Sequence, residues 1–179
     1  MRLPENNHLV RTCSATKVDE QKKPTIAAFF FRFDGDNWKD TDLSVHWLDF
    51  CQKDEEAKGG GVEEKLNAFR RVYAENSAKE ESLRVPMMQI KKSHVFAVLN
   101  VRDIEAETIK CEGSEAEINL ICQHQPQAGF EDVDPHSGIT PTPGVDTWPK
   151  DADALNAPEH LAVAQYLLLR VCHDEVVGE

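Results

Sequence analysis

Two short boxes hold most of the side chains that could do chemistry. Leu43-Ser44-Val45-His46-Trp47-Leu48-Asp49-Phe50 brings a hydroxyl, an imidazole and a carboxylate into one stretch with two large aromatics. Asp134-Pro135-His136-Ser137 supplies a second imidazole and a second carboxylate. Histidines with an arginine for phosphate would suit proton transfer on a nucleotide or an RNA end. The residues such a cleft would draw on are His8, Arg11, Ser44, His46, His124 and His136. If Leu43–Trp47 is extended, alternation puts Ser44 and His46 together at a surface or cleft, with Trp47 on the other face as a buried packing anchor.

Other chemistries find less support. Cys51 has His46 five residues before it, off the same helical face, so it lacks a base. Cys122 and His124 share a strand face and, with Cys111 and His136, could complete a zinc site, but their spacing matches no zinc pattern. The acidic cluster Glu131, Asp132, Asp134 lacks calcium-loop spacing. Gly59-Gly60-Gly61 is not followed by the Lys-Ser/Thr pair of a phosphate loop. No serine-hydrolase elbow, dinucleotide fingerprint or zinc-protease helix occurs. The sequence therefore calls for no cofactor and no metal, and it assigns no catalytic residue.

The elements that must position these boxes can be read from periodicity. His8–Cys13 alternates as a strand. Thr25–Phe33, with Phe29, Phe30 and Phe31 consecutive, reads as a strand buried on both faces. Asp34-Gly35-Asp36-Asn37 has turn chemistry. Ser44–Trp47 reads as a short strand running into a helical turn at Leu48. Lys53–Gly61 reads as a flexible charged loop. Val62, Leu66, Phe69 and Tyr73 recur at helical spacing, which predicts a helix over Val62–Ala78. His94–Val101 is a strand, Arg102–Thr108 a helical turn, and Ile109–Glu112 can pair with Ile118–His124 across Gly113-Ser114. Residues 125–149, with five prolines, read as one long loop. Asn156 is placed to cap a last helix, with Pro158 in its first turn and Glu159 at its third position, running to about Val176. The sum is an α+β fold: a small, mostly antiparallel sheet of five or six strands with a middle helix and a C-terminal helix, in a single domain.

A chain of 179 residues is long enough to bury a core without disulfides. The five cysteines are odd in number and widely spaced, as in a reducing compartment. No stretch is apolar enough for a membrane span and the first residues lack a leader's apolar core, so the expected location is cytoplasmic. The net charge of −12 is uneven: residues 95–179 carry 4 Lys+Arg against 16 Asp+Glu. Such a half repels phosphate backbones, so nucleic acid is a poor partner and a basic protein surface a better one.

His8-Leu9-Val10-Arg11, Ala27-Ala28-Phe29, Leu43-Ser44-x-x-Trp47-Leu48-Asp49, Phe96-Ala97-Val98, His124-x-Pro126 and Asp134-Pro135-His136-Ser137 occur in an order that resembles a diffuse group of small uncharacterised bacterial proteins. These open with a His-(Val/Leu)-Val-Arg element, carry a Leu-Ser-x-x-Trp-Leu-Glu box, and close with His-x-Pro and His-(Ala/Ser) boxes. Asp49 stands where the group has glutamate. The group is associated with mobile and anti-phage defence loci and brings no activity with it. The resemblance implies a non-catalytic accessory module of a bacterial defence system, binding a protein partner encoded nearby through the acidic C-terminal half. The alternative is a small enzyme acting on a nucleotide or RNA end.

Overall fold

The computed structural model describes residues 1–52, 60–86 and 90–178. Its centre is an antiparallel sheet of seven strands: β1 (His8–Cys13), β2 (Leu43–Trp47), β3 (Val95–Asn100), β4 (Ile109–Lys110), β5 (Glu117–His124), β6 (His136–Thr142) and β7 (Val171–Val176). Their spatial order is β4-β5-β6-β2-β1-β3-β7. Three helices accompany it: α1 (Val62–Ala78), α2 (Val101–Glu105) and α3 (Pro158–Leu168). The expected α+β class holds, with more strands than the five or six foreseen. None of the helices is long and apolar enough to cross a membrane, among the described residues.

Strand alternation sorts the side chains into two apolar layers. Leu9, Leu43, Val45, Val95, Ala97 and Leu99 join Phe29, Ile104, Val163 and Leu167 beneath one face. Val10, Phe96 and Val98 meet Leu66 and Phe69 of α1 on the other. β3 is therefore covered on both sides, which explains its nearly unbroken apolar run. The second face is covered only in part. In β5 the buried Ile118, Leu120 and Cys122 alternate with exposed Asn119 and half-buried Ile121 and Gln123. The apolar contacts of α1 there are with β1 and β3, not with β5.

Four expectations from the sequence need correction. Thr25–Phe33 is not a strand: Ile26–Phe29 is a 3-10 turn, and residues 30–32 join no strand ladder. Two of their amides find side chains instead. Phe31 N–H donates to His160 Nε2 (3.0 Å) and Arg32 N–H to Asp40 Oδ2 (2.7 Å). Phe29 and Phe31 are nonetheless buried, as their apolar character requires.

Residues 125–149 are not one loop, because β6 runs through them as an inner strand between β5 and β2. Pro141 is tolerated because pairing with β2 ends at Ile139. Beyond that point β6 is an edge, where a missing amide donor costs little.

The last helix stops at Leu168, and β7 forms from Val171 to Val176 instead, with these β-branched residues pairing onto β3. Asn156 is not the cap of α3. It ends a 3-10 turn, Ala157 is the cap, and Pro158 opens the helix; Glu159 Oε1 accepts from Ser114 Oγ rather than closing a capping box. The helix over Val62–Ala78, the Asp34–Asn37 turn and the hairpin pairing of Ile109–Lys110 with β5 stand as expected. Most of the Lys53–Gly61 loop lies outside the described residues.

Candidate functional site

The two boxes meet. β2 and β6 pair with Ser44 opposite Gly138 and His46 opposite His136, so a sequence separation of some ninety residues closes into adjacent strands. Ser44 Oγ lies 2.9 Å from His136 Nε2, and His136 Nδ1 lies 2.8 Å from the Gln125 carbonyl oxygen. That carbonyl can only accept, so Nδ1 carries the proton and, in the neutral ring, Nε2 accepts from the serine hydroxyl. The result is a hydroxyl, a base and an orienting acceptor in series. Ser44 is exposed and His136 half-buried. Gly138 matters here because the Gln125 side chain lies where a β-carbon would be, with Oε1 at 2.5 Å from that position.

The loop that presents His136 is pinned by Asp134. This buried carboxylate accepts from the amides of Gln127 (2.9 Å) and His136 (2.9 Å). Trp47 N–H donates to Pro135 O (2.8 Å), tying the loop back to β2. His124 belongs to the same support: its Nε2 donates to Asp134 O (2.7 Å), and its ring meets Trp47 edge-on and Phe50 at a tilt. Trp47 is only partly buried; its indole N–H reaches Asn7 Oδ1 (2.7 Å) at an open groove, so it is not the enclosed anchor expected.

His46 shares the face of His136, with ring centroids 6.2 Å apart, but it is not at a surface. It is 3 % exposed beneath Phe69 of α1, and its Nδ1 is buried without a hydrogen-bond partner among the described residues. The helix that covers it could not be placed over β2 from the sequence pattern. Burial, with a further push from His136, lowers the His46 pKa from 6.5 to about 4. Asp134 acts in the opposite direction and Arg11 in the same one. Folding therefore favours the neutral ring. Above the unfolded value near 6.5 the ring is neutral in both states and its burial carries no ionisation cost. As pH falls towards 4 the unfolded chain takes up a proton that the folded one refuses, and stability drops by roughly 3 kcal/mol. We expect His46→Phe to remove that part of the acid sensitivity. Urea unfolding of both proteins at intervals from pH 7.5 to 4.5 measures it, and parallel curves would refute the assignment.

Two of the six sequence candidates go elsewhere. Arg11 points to the opposite face from His46 and donates to two backbone carbonyls, Ala28 O and Ser44 O. His8 lies with α1, where Lys65 Nζ donates to its Nδ1 (3.1 Å) and to Asp49 Oδ1 (2.5 Å). Asp49 Oδ2 in turn accepts from the His8 amide (2.7 Å). Burial and the Lys65 charge lower the His8 pKa. This second cluster borders an open groove of about 740 Å3 with Trp47 and Phe50. Lys65 was missed because a lysine in the charged first turn of a helix reads as solvated. The only signal was its position one residue before the buried Leu66.

The remaining chemistry is quiet. None of the five cysteines forms a disulfide. Burial raises Cys13 to about 11 and raises Cys122 as well, so both stay as thiols. Among the described residues no group of three or more His, Cys, Asp or Glu is arranged to hold a metal ion, and Cys122, His124, Cys111 and His136 do not gather as one. Arg70 is held by Glu175 and lies over the Phe96 ring at 5.1 Å. No protein-family model matches the chain, and comparison with curated proteins and with solved structures finds no significant match.

Proposed function

We propose that this chain is a recognition module that binds a basic protein surface through the part of its sheet left open around Ser44 and His136. The observation that carries the reading is the hydrogen-bonded Ser44–His136 pair, held on the sheet face away from the main core. Small-molecule sites are concave and mostly apolar, whereas an open, polar sheet face suits another protein. β5, β6 and the loop between them come from the acidic half of the chain, and exposed Glu117, Glu131 and Asp132 would complement lysines and arginines on the partner. The resemblance to proteins of defence loci directs the search for that partner to the products of neighbouring genes.

A second reading has its own support: the same pair is ordered as nucleophile and base, with Gln125 O in the orienting role. One set of variants separates the two. Ser44→Ala and His136→Ala should melt like the parent yet weaken a neighbouring gene product's binding, measured by calorimetry, about tenfold or more, ~1.4 kcal/mol. The parent should take no label from a fluorophosphonate. Labelling at Ser44 that His136→Ala abolishes would instead establish the nucleophile. Unchanged binding in both variants would end the recognition reading.

A further inference from the structure

The strongest unassigned feature is the charge of Arg11. Its side chain sits in a residue only 9 % exposed, and both groups it binds, Ala28 O through Nε at 3.1 Å and Ser44 O through Nη1, are uncharged. Among the described residues it forms no ion pair. The carboxylate of Asp40, whose charge reaches it, is occupied by Arg32, which engages it through its amide (2.7 Å), Nε (2.9 Å) and Nη2 (2.6 Å). Lys17 is half-buried beside the same groove, makes no ion pair among the described residues, and is pushed down by burial and by Arg11. Among the described residues neither of these neighbouring cations has an ion-pair partner, and the Arg11 guanidinium is withdrawn from water. Such an arrangement is costly unless an anion completes it.

The space for that anion exists. Arg11 and Lys17 line an open groove of about 710 Å3, which also holds Phe30, Phe31 and Phe33. Its other charged side chains cancel in pairs, Arg32 with Asp40 and Lys39 with Asp34. Among the described residues the groove therefore keeps two positive charges without an ion-pair partner, in a chain whose net charge is −12. The guanidinium also retains an edge: with Nε and Nη1 spent on carbonyls, Nη2 remains to donate.

We propose that this groove binds a small organic anion, its oxyanion taken by Arg11 Nη2 and Lys17 and its flat apolar body lying against Phe30 and Phe33. Charge-assisted hydrogen bonds from a guanidinium favour carboxylate and phosphate alike, and half-exposed aromatic rings favour a planar hydrophobe. Arg11 and His136 belong to opposite faces of the sheet, so the groove does not include His136, although Ser44, whose carbonyl Arg11 binds, also lines it.

Titration of the full chain with 2-naphthoate, 2-naphthyl phosphate and neutral 2-naphthamide, followed by calorimetry, tests this. At least one of the two anions should bind ~10-fold or more tighter than the amide. The tighter of the two identifies the oxyanion. Arg11 also fastens β1 to its neighbours, so Arg11→Met can fail to fold. Lys17→Met is the decisive variant: it should melt like the parent and weaken the anion by ~5-fold or more, leaving the amide unchanged. Equal binding of anions and amide, no binding by either anion at millimolar concentration, or an unaltered affinity in Lys17→Met would overturn the proposal.

Discussion

Phe29→Ala should destabilise the protein by ~3–5 kcal/mol, the range for emptying a large aromatic from a packed interior. Phe29 is fully buried in the 3-10 turn Ile26–Phe29, within the layer that also holds Val163 and Leu167 of α3 and Ile104 of α2. The turn is fastened at several points. Ala28 O receives Arg11 Nε, and the Phe31 amide, two residues past the turn, is received by His160. A short segment held by side-chain hydrogen bonds has little freedom to collapse into the vacated space, so relaxation should recover little of the loss. Phe30→Ala, at a half-buried position one residue away, should cost clearly less. Urea unfolding monitored by tryptophan fluorescence gives both values. A Phe29→Ala loss under ~1.5 kcal/mol, typical of a volume-conserving swap, would mean that the turn is not packed as described.

Asp49→Ala should be comparably damaging, by ~3–5 kcal/mol, for an electrostatic reason. The Lys65 side chain is 6 % exposed, and its ammonium is compensated by Asp49 Oδ1 at 2.5 Å. Removing the carboxylate leaves a buried cation against the neutral ring of His8, which accepts one bond but supplies no charge. It also orphans the His8 amide, which now donates to Asp49 Oδ2. Since the cost comes from an unpaired charge rather than from lost attraction, the double change Asp49→Asn, Lys65→Met should recover most of it. A double variant no more stable than Asp49→Ala alone would show that packing of the lysine stem, not its charge, holds this junction. The cluster ties α1 to the end of β2, so its loss should also loosen the helix that covers His46.

Local chemistry is enough to specify several elements. The repeat Val62, Leu66, Phe69, Tyr73 specifies a helix because only the 3.6-residue period puts those side chains on one face, and α1 has those bounds. Gly113-Ser114 between two β-rich runs specifies the hairpin of β4 and β5. The paired appearance of Ser44 with His46, and of Asp134 with His136, marked the two boxes that strand pairing then joined.

Other features depend on contacts between distant parts of the chain. β6 was hidden because five prolines mask a strand, and only the absence of β2 beyond Ile139 makes Pro141 acceptable. Phe29 and Phe31 are buried whether as strand or as turn; His160, far along the chain, supplied the acceptor for the Phe31 amide just past the turn. β7 could not be separated from the end of α3 by composition, since Val171 and Cys172 continue an apolar stripe; the free edge of β3 captured them. His46 illustrates the same limit at the site. Alternation placed Ser44 and His46 on one side of their strand, but whether His46 meets water depended on where Phe69 came to rest. Burial is a property of what packs on top of a residue, and no local pattern contains it.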